Sequence, residues 1–123
     1  MSNHLNRFYG AVSALAGHGN IKQRLIVAFE DHLALIEADE VPIAVKQSFA
    51  DLRQMMSGVD PLNGEGRIRA TVRKMSVFEA DECAQKMVDL YTEIIRFEDQ
   101  TQESLPLRLG DQPLLPPFLV KSG

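Results

Sequence analysis

The chain has 123 residues, of which 45% are hydrophobic and 24% charged, and its formal net charge is −4 at pH 7. That length suits one domain able to bury its own core without disulfides or metals, and the acidic balance works against bulk attraction to nucleic acid or an anionic membrane. The single cysteine, Cys83, can form no internal disulfide, and its place in a helical apolar pattern suits a reducing cytosol.

The opening Met1-Ser2-Asn3-His4-Leu5-Asn6-Arg7 has no basic region followed by an apolar run, so no secretory signal is expected. No apolar stretch approaches the roughly eighteen residues of a transmembrane helix. The expected compartment is the cytoplasm.

A first helix is predicted over residues 4–16, with Leu5, Phe8, Tyr9, Val12, Leu15 and Ala16 on one face. Gly17 stops it, and Gly17-His18-Gly19-Asn20 reads as a tight turn. Asn20 caps a second helix over 21–38, with Gln23 at the reciprocal position of a capping-box-like pair. Its apolar face holds Leu25, Ile26, Phe29, Leu33 and Ile36, with His32 among them. Pro42 suits the first turn of a third helix over 42–57, with Val45, Phe49, Leu52 and Met56 inward.

Residues 60–66 form a polar, turn-rich stretch. In 67–75, Ile68, Val72 and Met75 have helical spacing, although residues 68–72 also fit a strand; a short helix is favoured because no partner strand is evident. Ser76-Val77-Phe78-Glu79 is a capping box and opens the longest helix, over 77–101. Ala80, Ala84, Met87, Tyr91 and Ile94 make one stripe on it, and Cys83, Met87, Leu90, Ile94 and Phe97 an adjacent one. Two stripes make a broad apolar face that should touch at least two neighbours.

Beyond Glu103 the composition changes: four of the six prolines fall in residues 104–123. The expected fold is therefore an all-α bundle of four to five helices over 1–103, followed by an extended, proline-rich C-terminal tail over 104–123.

Candidate chemistry is sparse. His32 has Ala28, Phe29, Leu35 and Ile36 at the neighbouring helical positions, so the Glu-x-x-His pattern of carboxylate-bridged metal bundles is absent and a structural role is expected. His18 reads as a solvated turn histidine, and His4, near the terminus, carries still less information. Cys83 has Glu79 and Glu82 beside it, which would raise a thiol pKa and argue for packing over nucleophilic chemistry. No catalytic, cofactor or metal residues are assigned.

Two surfaces stand out. Residues 61–75 carry Arg67, Arg69, Arg73 and Lys74 against Glu65 alone, a local net of +3, beside a 76–103 segment with a net of −6. An exposed basic patch of this kind could meet an acidic protein, RNA phosphates or, less readily, duplex DNA. The alternative is that the arginines pair with acids of the same domain and stay solvated. The tail is the second surface: Leu114, Leu115, Phe118 and Leu119 are too apolar for an ordinary solvated end, and its prolines favour extended docking, on this bundle or on a partner.

The stretches Gly19-Asn20-Ile21-Lys22-Gln23-Arg24-Leu25 and Ala70-Thr71-Val72-Arg73-Lys74-Met75-Ser76, with Asn6-Arg7-Phe8-Tyr9 and Ala11-Val12, resemble those of small proteobacterial helical proteins that have no assigned activity. The resemblance covers roughly residues 5 to 97 and implies a bacterial source, with no site residues.

The leading functional expectation is a non-catalytic cytosolic interaction or regulatory protein with an unknown protein partner or a second copy of itself, acting through Arg67, Arg69, Arg73 and Lys74 and through the tail. A nucleic-acid-associated factor using the same arginines is the alternative. An enzyme comes third, because acid–base chemistry needs convergent titratable groups.

Overall fold

The structure is a computed structural model that describes residues 3–62 and 64–104. Five α-helices follow one another: α1 (Asn3–Leu15), α2 (Ile21–Asp31), α3 (Lys46–Ser57), α4 (Arg67–Lys74) and α5 (Val77–Ser104). No strand occurs among the described residues, so the chain is an all-α bundle. The tail beyond Ser104 lies outside the described residues.

Local hydrogen bonding explains where two helices start. Asn20 Oδ1 accepts from Gln23 N at 2.9 Å while Asn20 N donates to Gln23 Oε1 at 3.1 Å, closing the capping box of α2. Glu79 N donates to Ser76 Oγ at 3.0 Å and Ser76 N to Glu79 Oε1 at 2.8 Å, which opens α5 at Val77. Each box satisfies N–H groups that a helix start leaves without intrahelical partners. Gly19, at φ +101°, takes the left-handed conformation that lets the chain reverse between α1 and α2. Arg24 then ties the two helices: its Nη1 donates to Leu15 O at 2.6 Å and its Nε to Gly19 O at 3.0 Å.

Two helices are shorter than their periodicity predicts. α2 ends at Asp31, not at residue 38, and His32 (φ −126°, ψ −63°) leads into a 3₁₀ turn, Leu33–Leu35. Leu33 and Ile36 are buried all the same. They are three residues apart, and a three-per-turn helix keeps such a pair on one side, so apolar spacing cannot tell it from α-helix. Pro42 does not begin α3. Its ψ of 146° is extended, and a 3₁₀ turn, Ile43–Val45, intervenes before Lys46; the proline ring fixes φ but leaves ψ free. Arg53 braces this connection, donating from Nη1 to Ile36 O at 2.6 Å with its guanidinium 5.5 Å from the Phe49 ring centroid.

α4 resolves the helix-or-strand ambiguity in favour of helix. Its buried Thr71 donates to Arg67 O at 2.8 Å and accepts from Val59 N at 3.0 Å, so the exit of α3 is held against α4.

The core joins Phe8 and Ala11 of α1, Leu25 and Phe29 of α2, Phe49, Leu52 and Met56 of α3, and Val72 of α4. Phe8 and Phe49 meet edge-to-face at 5.7 Å, an arrangement that suits the ring quadrupoles. Both α5 stripes are used: Ala80, Cys83, Met87, Leu90 and Ile94 are buried, with Ala84 and Tyr91 packed at their margin, and α5 touches α1, α2 and α3. On α1 the expected face needs correction. Tyr9 is 62% exposed and Ala16 is exposed, because Phe8 and Ala11 hold the centre of the buried side. The Tyr9 ring lies at the margin, 6.4 Å from that of Tyr91. His4, about which the sequence says little, is buried, with Nε2 3.5 Å from Glu98 Oε2 of α5.

Candidate interaction surface

The four cationic residues singled out in the sequence all lie on α4 and all are exposed. The three arginines are nevertheless paired within the bundle. Arg67 Nη2 reaches Asp60 Oδ1 at 2.9 Å. Arg69 grips Glu30 of α2 with Nε and Nη2, at 3.2 Å to each carboxylate oxygen. Arg73 grips Glu65 in the same two-pronged way, through Nε at 3.2 Å and Nη2 at 2.5 Å. The guanidinium of Arg73 holds the Glu65 carboxyl below its ordinary pKa, while Glu30 and Glu65 push Arg69 and Arg73 further up.

Of the two readings open from the sequence, the arginines follow the one in which they pair with acids of the same domain and stay solvated. Three of the four cations are thus matched by a carboxylate each, and Lys74 shares the adjoining cleft with Glu79 and Glu82. The pairs remain in solvent, where each stabilises the fold by only about 0–1 kcal/mol.

The residues that follow were not singled out in the sequence. Val77 and Phe78, in the first turn of α5, are 62% and 69% exposed. Their exposure was readable in principle. Phe78 has Asp81, Glu82 and Gln85 at its helical neighbour positions, a polar face remote from both apolar stripes. The capping box drew attention to Ser76 and Glu79 and hid the two apolar residues between them.

Beside this corner, between α3, α4 and the start of α5, lies a cleft of about 320 Å³. Met55, Val59, Met75 and Cys83 supply its apolar wall, and Lys74, Glu79 and Glu82 its charged rim. Cys83 is 1% exposed, and burial, with Glu82 second, pushes its thiol pKa up. A raised pKa favours the protonated thiol, the weak nucleophile of the two forms.

The histidines do not converge on a site. His18 is exposed in the α1–α2 turn, and the half-buried His32 ring packs over Gly10 of α1. Among the described residues no group of three His, Cys, Asp or Glu side chains is placed to hold a metal ion. No described helix is long and apolar enough to cross a membrane. Leu114, Leu115, Phe118 and Leu119 lie outside the described residues. Comparison with protein-family models, curated proteins and solved structures finds no match to this chain.

Proposed function

We propose that this is a non-catalytic interaction or regulatory protein of the cytoplasm, and that the corner where α4 gives way to α5 is its contact surface. The observation that supports this most is Phe78, a large aromatic held 69% exposed at a capped helix start while the same helix has a full apolar face already buried. A rigid, exposed aromatic is the kind of side chain that anchors protein interfaces. Val77 widens the anchor, and Lys74, three residues earlier, supplies charge at its edge. The pairing of Arg67, Arg69 and Arg73 weighs against phosphate recognition, since those guanidiniums would have to release their carboxylates to bind.

The test is affinity capture from the cells that make the protein, comparing it with a Val77→Ser, Phe78→Ser variant of matched melting temperature. Loss of an aromatic anchor costs about 2 kcal/mol or more, so captured partner should fall by at least about tenfold. Undiminished capture refutes the corner as contact surface. Capture that instead vanishes with an arginine-to-serine variant, and with rising salt, moves the function to nucleic acid.

A further inference from the structure

The 320 Å³ cleft is not isolated. A second hollow, of about 200 Å³, opens between Ser48 and Asp51 of α3 and Lys86, Asp89 and Leu90 of α5. A third, of about 230 Å³, lies between Ala44 and Val45 and the α5 residues Arg96 and Phe97. Glu93 lines both of these. Met55 pairs with Cys83 at one end and Val45 with Phe97 at the other, so α3 and α5 run antiparallel and the hollows follow one another turn by turn along their seam. Each end of the seam has an apolar wall within a charged rim, Met55, Val59, Met75 and Cys83 at one and Ala44, Val45 and Phe97 at the other, and the middle is mostly polar.

We propose that this groove is the docking site of the chain's own C-terminal segment, residues 105–120, folded back along α5. Length supports it. An extended, proline-rich segment advances about 3.1 Å per residue, and an α-helix about 1.5 Å, so each tail residue retraces roughly two residues of α5. Starting from Ser104, where α5 ends, Leu107 comes level with Phe97, and Leu114 level with Cys83. Phe118 comes level with Met75.

The chemistry follows the same register. Leu105, Leu107 and Leu109 meet the apolar end at Val45 and Phe97. Gly110-Asp111-Gln112 cross the polar middle, and Leu114, Leu115 and Phe118 fill the end lined by Met55, Met75 and Cys83. Arg108 passes within a helical turn of Glu93, and Asp111 within a turn of Lys86. Prolines 106, 113, 116 and 117 keep the segment extended and reduce the ordering cost of docking. The groove borders the α4–α5 contact surface, since Lys74 lines its upper cleft, but its occupancy by the tail requires no second protein and is read independently of partner capture.

The experiment uses the full chain with a photo-crosslinking residue at either end of the tail, Phe118→p-benzoylphenylalanine or Leu107→p-benzoylphenylalanine, irradiated in dilute solution and mapped by mass spectrometry. Both positions lie beyond the described residues, and helix content checks the fold. The expected adducts have monomer mass, joining position 118 to Met55 or Met75 and position 107 to the Val45–Phe97 end. Adding Met55→Arg, which sets a charge against the apolar tail, should reduce the position-118 adduct by at least about tenfold and spare the position-107 adduct. Adducts at twice the monomer mass would make the occupant a second copy. Adducts in another register, adducts elsewhere on the bundle, or none at all would overturn the proposal.

Discussion

Gly10 and His32 offer the sharpest test of how these helices pack. Gly10 lies inside α1, where glycine is unfavourable by about 0.5–1 kcal/mol relative to alanine. Helix propensity alone therefore makes Gly10→Ala stabilising. The packing says otherwise. A Cβ built at Gly10 falls 2.5 Å from His32 Nδ1 and 2.7 Å from its Cε1, closer than carbon and nitrogen approach without bonding. The imidazole is half-buried and must shift, and overpacking of this kind costs about 1–3 kcal/mol. The expected net effect is destabilisation of about 1 kcal/mol, or roughly 4 °C in melting temperature for a chain of this size. The double-mutant cycle decides the cause. In a His32→Ala background the obstruction is gone, and Gly10→Ala should become stabilising by about 0.5–1 kcal/mol. Urea unfolding followed by far-UV circular dichroism on the four proteins gives the coupling energy. If Gly10→Ala stabilises equally in both backgrounds, with coupling below about 0.5 kcal/mol, the His32 ring does not lie against Gly10.

Ser76→Ala removes the oxygen that accepts from Glu79 N and should cost about 0.5–2 kcal/mol in the same unfolding assay. The triple replacement of Arg67, Arg69 and Arg73 by Ser should move the melting temperature little, because exposed pairs contribute about 0–1 kcal/mol each; a collapse in stability would show that they hold α4 in place. Arg73→Ser should return the Glu65 carboxyl from its lowered pKa toward the ordinary range, as read by NMR titration. The sign follows from linkage: a lowered folded pKa contributes stability above the unfolded pKa and loses it as pH falls through the folded one, so the variant's deficit should be confined to the higher-pH side. Cys83, buried and with its thiol pKa raised, should react with a thiol reagent at least about a hundredfold more slowly in the folded protein than in denaturant, since access requires opening a core helix. Comparable rates would place it at the surface.

The parts of this fold that the sequence determined by itself are those governed by neighbours along the chain. Asn20 with Gln23, and Ser76 with Glu79, are three residues apart, and their reciprocal hydrogen bonds need no other element to form. The stripes of α5 are legible for a related reason: a helix with two apolar faces must bury both, whichever helices cover them. Tertiary structure decided the rest. α2 stops at Asp31 although its apolar spacing runs on, and the spacing cannot show this, since α-helix and 3₁₀ turn bury Leu33 and Ile36 alike. The basic segment looked open because the arginines' strongest partners are remote or on the facing loop: Arg69 meets Glu30 across 39 residues of sequence. His4 is buried beside Glu98 for the same reason. Ion pairs, clefts and exposed anchors depend on which helix faces which, and that choice is made by the packing of whole apolar faces, not by any local signal.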